Sequence, residues 1–154
     1  MNRLVCGLVL MLAACGGPAP EASAPKTEAL KPKPPDQSRR FVSEGRLSVE
    51  LVDDHLLGKD YLPGGNVAEY EIDGKRHKRF LIVAKDPQAA TFLAMDIKDR
   101  LTGAKYVPHF GGYFGLDGEE GWFIFPKDKN VAGIVGLPQA EADQVAREFA
   151  AGIY

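Results

Sequence analysis

Cysteine is almost absent from this sequence. Both cysteines, Cys6 and Cys15, lie near its start, so the chain beyond them can hold no disulfide and no cysteine-ligated metal site. Hydroxyl nucleophiles are also few. The serines and threonines from residue 41 onward are Ser43, Ser48, Thr91 and Thr102. None of them lies in the Gly-x-Ser-x-Gly turn of a hydrolase, so the sequence does not favour a serine or cysteine hydrolase.

Other functional motifs are missing as well. The sequence has no phosphate-binding loop, no dinucleotide-binding glycine pattern and no Cys-x-x-Cys-His haem motif. From residue 41 onward, 13 lysines and arginines stand against 18 aspartates and glutamates. Because nucleic-acid binding depends on positive charge, this acidic balance argues against a nucleic-acid partner.

Three histidines, His55, His77 and His109, are the candidate metal ligands. A zinc site that also uses Asp53 or Asp54 is conceivable, because imidazole and carboxylate groups are common zinc ligands. The histidines are scattered over different predicted elements, however, and no ligand spacing connects them. We therefore predict no metal site.

The first segment has the layout of a secretory signal. Arg3 supplies a positive charge, residues 4–12 are a nearly continuous apolar run, and small residues precede Cys15. The run is far shorter than the ~20 residues that a membrane-spanning helix needs. Its end, Leu12-Ala13-Ala14-Cys15, resembles the lipobox of bacterial lipoprotein precursors.

This resemblance implies that residues 1–14 are a signal peptide and that Cys15 becomes a lipid anchor. The Cys15 sulfur would receive a diacylglyceryl group, the chain would be cut before Cys15, and the new amine would be acylated. Three acyl chains give a stable membrane attachment, and we expect no other cofactor. The alternative is an ordinary signal peptide cut nearby, which would leave Cys15 as a free thiol.

The anchor places the protein in the cell envelope. In a Gram-negative host the protein would face the periplasm, and Gly16 would favour the outer membrane, because an aspartate there favours inner-membrane retention. A Gram-positive host would carry it on the outer face of its membrane.

Residues 15–40 are predicted to be the lipidated cysteine and a linker. Residues 16–40 hold six of the eleven prolines and no aromatic residue, so they have too little apolar surface to fold. Residues 41–154 are then a single globular domain, a length that supports one core without disulfides.

The clearest local signal in that domain is a hairpin at Asp73-Gly74, since both residues tolerate positive φ. Counting outward from the turn places Glu71 opposite Arg76 and Glu69 opposite Lys78. These opposed charges explain the basic run at residues 75–79 without an anionic ligand.

A first helix should begin at Asp86-Pro87, since aspartate caps helices and proline suits the first helical position. Gly103 is expected where the chain leaves this helix. The apolar residues at helical spacing are Ala90, Leu93, Ala94, Ile97 and Leu101.

A second hairpin is predicted from residues 110–116 and 119–125 around Asp117-Gly118, followed by a strand at residues 131–137. Pro138 should open the last helix. Its predicted apolar face is Ala142, Val145, Ala146, Phe149 and Ile153.

The elements together predict an α+β fold. After an ambiguous entry segment, the order is ββα-βββα. We expect one antiparallel sheet of five or six strands, with both amphipathic helices packed on one face.

Aromatic residues of the second hairpin are the most unusual local feature. Phe110, Tyr113 and Trp122 are the candidate partner- or ligand-binding residues, because tyrosine and tryptophan suit contact surfaces. The alternative is that all of these rings are buried in the core.

Four segments resemble an uncharacterised family of secreted bacterial lipoprotein domains. They are Pro63-Gly64-Gly65-Asn66-Val67-Ala68-Glu69-Tyr70, Asp86-Pro87-Gln88-Ala89-Ala90, Gly111-Gly112-Tyr113 and Trp122-Phe123-Ile124-Phe125. The resemblance implies fold and location and carries no catalytic residue.

We therefore predict a non-enzymatic, membrane-anchored module of the cell envelope that acts by binding another protein or as an accessory of an envelope complex. The alternative is a small-ligand-binding lipoprotein whose pocket is lined by the aromatic strands. An enzyme of unknown type is the third possibility.

Overall fold

The structure, a computed structural model, describes residues 32–154, which form one sheet and two α-helices. The α+β class predicted from the sequence is confirmed. The elements are β1 (Arg46–Asp54), β2 (Pro63–Ile72), β3 (Lys75–Val83), α1 (Pro87–Arg100), β4 (Thr102–Val107), β5 (Gly112–Asp117), β6 (Glu120–Lys127), β7 (Asn130–Val135) and α2 (Gln139–Ala151). Short 3-10 helices occupy Ser38–Arg40 and Leu56–Gly58.

All seven strands belong to one antiparallel sheet in the order β1-β2-β3-β7-β6-β5-β4. Helix α1 carries the chain from β3 to the far edge, where β4 begins. Strands β5, β6 and β7 then lead back until β7 pairs with β3. The described part therefore has seven strands, not the predicted five or six, and four strands stand between the helices where the order ββα-βββα predicted three.

The strand that the sequence did not predict is β4. Five of its six residues are exposed, and Val107 alone is buried. An edge strand of this kind shows no alternation of apolar and polar residues. Gly103, which was expected at the helix exit, lies inside β4 with a φ of 64°, where the pairing with β5 shifts register.

The predicted β2–β3 hairpin is confirmed in turn and in register. Asp73-Gly74 forms its turn with φ values of 52° and 73°. Glu71 lies opposite Arg76, and its Oε2 is 2.7 Å from the Arg76 Nε. Glu69 lies opposite Lys78, with 3.6 Å between Oε1 and Nζ. Two of the four cations in the basic run, Arg76 and Lys78, are thus paired within the hairpin.

The two helices pack on opposite faces of the sheet, so the prediction that both cover one face is wrong. On β6, Phe123 and Phe125 pack in a cluster with α2, whereas Trp122 and Ile124 pack in a second cluster with α1. The same division runs through residues 131–135 of β7, all of which are buried. Central strands covered on both faces appear in the sequence as continuous apolar runs.

Both helices begin within one residue of their predicted starts. The Asp86 side chain accepts a hydrogen bond from the Ala89 amide at 2.8 Å, and Pro87 is the first residue of α1. Helix α2 follows Pro138. Its buried residues, all on the predicted apolar face, are Ala142, Ala146 and Phe149.

The folded unit begins before Phe41. Asn66, which is fully buried, accepts a hydrogen bond from the Gln37 amide at 2.8 Å. Its amide group donates to Asp36 Oδ1 and to Ser38 Oγ, each at 3.0 Å. The last residues of the segment that the composition assigned to the linker are therefore fastened to the sheet. None of the described helices is long and apolar enough to cross a membrane.

Candidate functional site

The three aromatic residues singled out in the sequence do not form one surface. Trp122 is 1% exposed, packs against Phe80, and has a buried Nε1 with no hydrogen-bond partner among the described residues. Phe110 is half-buried on the α2 face, with its ring 5.2 Å from that of Phe123. Tyr113 is half-buried on the α1 face. A docking surface that includes Trp122 would require the core to open.

Exposed apolar side chains lie on α1 and on β4, the strand at one edge of the sheet. Phe92 and Met95 are 55% and 41% exposed, and their spacing makes them neighbours on the helix surface. Tyr106 of β4 is 58% exposed and packs against Tyr113, with ring centroids 5.5 Å apart. Lys98, one turn beyond Met95, places its Nζ 5.8 Å from the centroid of the Tyr113 ring and joins the two parts. We call Phe92, Met95, Tyr106 and Tyr113 the α1–β4 strip.

The backbone beside this strip is an unpaired strand edge. Strand β4 pairs with β5 on one side, and no strand in the described chain pairs with its other side. Such an edge presents free N–H and C=O groups to another strand. Side chains and backbone at the β4 edge thus form one continuous surface with both apolar and hydrogen-bonding groups.

A second group of exposed apolar side chains lies near the opposite edge of the sheet. Its largest exposed member on a strand is Leu47, at 56%. Leu47 borders a depression of about 230 Å³ whose lining includes the charged residues Glu69, Arg76, Lys78 and Glu120. Isolated exposed apolar side chains among charges are common on protein surfaces. The α1–β4 strip is the more distinctive feature.

The histidines do not assemble a metal centre. His55 Nε2 is 3.9 Å from an oxygen of Asp54, and His109 Nε2 is 2.5 Å from Asp143 Oδ2. Among residues 32–154, no group of three or more histidine, cysteine, aspartate or glutamate side chains is placed to hold a metal ion.

His109 and Asp143 form a pair that superficially resembles a catalytic dyad. Burial alone would raise the pKa of Asp143, but hydrogen bonds from His109 and Arg147 outweigh that effect and lower it. The Arg147 Nη2 also lies 3.1 Å from the His109 Nε2. Within residues 32–154, no serine or threonine hydroxyl forms a hydrogen bond with His109, Asp143 or Arg147. The cluster joins the β4–β5 loop to α2 and has no hydroxyl nucleophile beside it.

A buried polar stack lies under α2. Arg79, only 1% exposed, holds its guanidinium carbon 3.9 Å from the centroid of the Tyr70 ring. Its Nε donates a hydrogen bond to His77 Nε2 at 3.2 Å, and the His77 ring stacks on Tyr70 at 5.4 Å. The Tyr70 hydroxyl donates to the Val42 carbonyl at 2.8 Å. We call these residues the Tyr70–His77–Arg79 stack.

The sequence contained a signal for this stack that the charge pairing obscured. His77 and Arg79 alternate in phase with Leu81, which is fully buried, whereas Arg76 and Lys78 point to the other face. Period-two alternation therefore placed two basic residues of the run on the core face. The interpretation of the whole run as surface charge missed them.

The stack has no spare base. Burial, and secondarily the positive charge of Arg79, lowers the pKa of His77 to about 4. The imidazole is neutral near pH 7, and its Nε2 lone pair accepts the Arg79 hydrogen bond, so the ring proton is on Nδ1. The nitrogen that would act as a general base is already occupied, which indicates a structural role.

The predicted aromatic residues do not line the depressions that we measured. These depressions have volumes of about 440, 290, 230 and 470 Å³. Phe110, Tyr113 and Trp122 border none of these four.

Cys15, the predicted lipidation site, lies outside the described residues, so its role stays a prediction. Comparisons with known proteins do not assign this chain to a family. No protein-family model matches the chain, and searches of curated proteins and of solved structures found no significant match.

Proposed function

We propose that this protein is a lipid-anchored module of the bacterial cell envelope that acts by binding another protein and not by catalysis. The lipobox-like sequence ending at Cys15 supports the anchor, and the proline-rich residues that follow support a spacer. The domain would face the periplasm, from the outer membrane if the host is Gram-negative.

The α1–β4 strip beside a free strand edge is the observation that carries the binding function. An extended segment of a partner can pair with the backbone of an exposed sheet edge, while side-chain contacts provide specificity. Tyr106 and Phe92 are the exposed aromatic anchors, a residue class that often dominates binding energy. We infer that the partner is an envelope protein that adds a strand next to β4.

The chemistry of the described residues supports a binding role over catalysis. His77 is buried with its acceptor nitrogen engaged by Arg79. His109 is held between Asp143 and Arg147. Neither imidazole is aligned with a hydroxyl nucleophile in residues 32–154.

Site-specific crosslinking tests the proposed surface in cells. A photo-crosslinking amino acid replaces Tyr106 in one strain and Leu47 in another. These positions are matched controls, because both are on edge strands and are 58% and 56% exposed. We expect a discrete crosslinked protein at position 106 and none at position 47. Crosslinking at 47 alone, or at neither position, would contradict the proposal.

A variant pair measures the affinity once that partner is identified. Phe92→Ser/Tyr106→Ser should weaken binding at least about tenfold, because aromatic anchors are lost. Both side chains are largely exposed, so the free energy of unfolding should change by less than about 0.5 kcal/mol. Leu47→Ser is the control and should bind like the wild type.

A further inference from the structure

Five cations gather at the end of the domain where the described chain begins. The 3-10 helix Ser38–Arg40 brings two of them, the turn after β3 brings one, and the last residue of β6 and the β6–β7 turn bring one each. The Ala84 amide donates to the Lys129 carbonyl at 2.8 Å, which fixes two of these turns side by side. We call this end the tether pole; its cations are Arg39, Arg40, Lys85, Lys127 and Lys129.

The tether pole differs from the rest of the domain in how its charges are paired. Within residues 32–154, none of its five cations has a carboxylate within ion-pair distance. Most lysines and arginines elsewhere in the described residues have a carboxylate within ion-pair distance. Those pairs are Lys33–Asp53, Lys59–Asp117, Lys75–Glu141, Arg76–Glu71, Lys78–Glu69, Lys98–Asp99 and Arg147–Asp143. The cations elsewhere without such a partner, Arg46, Arg79, Arg100 and Lys105, are spread over four different elements.

Carboxylates at the tether pole are few and mostly engaged. Asp36 accepts hydrogen bonds from Ser38 and Asn66, and these bonds lower its pKa. Asp86 caps α1 through the Ala89 amide. Asp128 is a third acid beside the cations, so five cations face three carboxylates and the pole is net positive although the domain as a whole is acidic.

A depression of about 440 Å³ lies between three of these cations, whereas Arg39 borders a separate depression. Arg40, Lys85 and Lys129 line the first depression together with Tyr154, which is 87% exposed. The Arg40 guanidinium carbon lies 5.3 Å from the centroid of the Tyr154 ring. Basic groups beside an exposed tyrosine match a membrane interface, where tyrosine sits at headgroup level and cations attract anionic lipids.

We propose that the tether pole is a membrane-facing surface that binds anionic lipid headgroups. The proposal rests on the anchor at Cys15. Residues 16–31 separate that anchor from the described chain, and an unstructured chain of this length would span ~22 Å. An anchor at Cys15 would then keep this end of the domain close to the bilayer. Each cation near an anionic leaflet favours contact by roughly fivefold, and the effect decays within a Debye length of about 8 Å.

This orientation has a consequence for the α1–β4 strip. The tether pole carries the amino end of α1, and Phe92 and Met95 lie further along that helix. Contact of the pole with lipid would hold the domain at a fixed tilt and keep the strip clear of the bilayer, where a partner can reach it.

Lysine labelling on vesicles tests the tether pole directly. The full chain carrying Cys6→Ser is coupled through its Cys15 thiol to maleimide lipid in two vesicle types, one of phosphatidylcholine and one containing phosphatidylglycerol. An amine-reactive reagent is then applied, and the labelling rate of each lysine is read by mass spectrometry. Chemical coupling supplies the anchor, so a failure of lipidation in cells leaves this experiment intact.

We expect Lys85, Lys127 and Lys129 to be labelled at least about threefold more slowly on the anionic vesicles, because headgroups cover them. Lys75, Lys78 and Lys105 should be labelled equally on both vesicle types. Equal rates at the tether pole on both vesicles, or equal protection of all six lysines, would overturn the proposal. So would protection that follows protein density and not lipid composition, since it would indicate contact between copies of the chain.

A matched pair of variants separates surface charge from folding. Arg39→Gln/Lys85→Gln/Lys129→Gln should abolish the protection of Lys127 on anionic vesicles. Arg76→Gln/Lys78→Gln/Lys105→Gln removes the same charge from other exposed positions and should retain it. Loss of protection in both triple variants would contradict a localised surface.

Discussion

Individual buried polar residues in this domain are arranged for packing. The guanidinium of Arg79 lies on the ring of Tyr70, and its Nε donates to a neutral His77. Burying a cation is costly unless its hydrogen bonds are satisfied, and an aromatic face offsets part of that cost. The arrangement depends on His77 remaining unprotonated, which makes stability sensitive to pH.

The free energy of unfolding should fall as the pH is lowered from 6.5 to 4. The native state keeps His77 neutral down to a pKa of about 4, whereas the unfolded chain takes up that proton near its ordinary pKa of 6.5. The unfolded state therefore binds more protons in this window, and stability falls by about 3 kcal/mol across it. Urea unfolding at a series of pH values measures the slope.

His77→Gln should flatten this slope, because a glutamine oxygen can still accept from Arg79 but does not titrate. The control is His55→Gln. The His55 side chain is 58% exposed, so this substitution should leave the pH dependence of the unfolding free energy unchanged. An unaltered slope in His77→Gln would show that another group controls acid stability.

Gly133 on β7 is the second residue-scale test. A Cβ built there would lie 2.2 Å from the Phe80 ring, which is fully buried and has no room to move. Gly133→Ala should lower the free energy of unfolding by at least about 1–3 kcal/mol, the usual cost of overpacking a core. At Gly152 the nearest atoms would be 3.5 Å away, so Gly152→Ala should be neutral or slightly stabilising in the same thermal or urea measurement.

At the scale of elements, the entry segment and β4 have opposite relations to the sheet. The segment around Gln37 lacks a strand or long helix of its own, yet it is fastened to β2 through the side chain of Asn66. Strand β4 is paired along one side with β5, yet its outer edge and most of its side chains face solvent. The contacts of Asn66 order the entry segment against the sheet. The exposed outer edge of β4 leaves a surface available for a partner.

Asn66→Ala should release the entry segment. It removes the acceptor for the Gln37 amide and the donor to Asp36 and Ser38, and should cost about 2 kcal/mol of unfolding free energy. Trypsin should then cleave after Arg39 and Arg40 much faster than in the wild type. Asn130→Ala removes a buried asparagine on β7 that does not hold this segment, so it should leave cleavage there slow. Equal cleavage in both variants would refute the role of Asn66.

Local signals in the sequence were sufficient for the hairpins and helix starts. Asp73-Gly74 fixed the β2–β3 register, and Asp86-Pro87 fixed the start of α1, because turns and caps depend on residues close in sequence. Strand β4 escaped prediction because exposure on both faces leaves no period-two pattern. The placement of the helices also failed, although the continuous apolar run at residues 122–125 is the pattern of a strand buried on both faces.

The candidate surface was harder to predict than the fold. Trp122 looked like a docking residue because tryptophan is common at interfaces, but its strand lies in the centre of the sheet. Strand order depends on long-range pairing, which no local motif in this sequence specifies. Tyr106 and Phe92 reach the surface for the same reason, since β4 is at an edge and α1 buries only one side.

At the level of the whole molecule, we propose three parts: a lipid tether at Cys15, the tether pole and the α1–β4 strip. A lipid on Cys15 would confine the domain to the bilayer, the tether pole would set its orientation, and the α1–β4 strip would meet the partner.

Intact mass measurement of the protein extracted from cell membranes tests the proposed anchor at Cys15. We expect the chain to begin at Cys15 and to carry the added mass of a diacylglyceryl group and an amide-linked acyl chain. Cys15→Ala should lack both additions and leave the membrane fraction. A wild-type protein with the mass of an unlipidated chain, equal to that of Cys15→Ala apart from the substitution, would contradict the account.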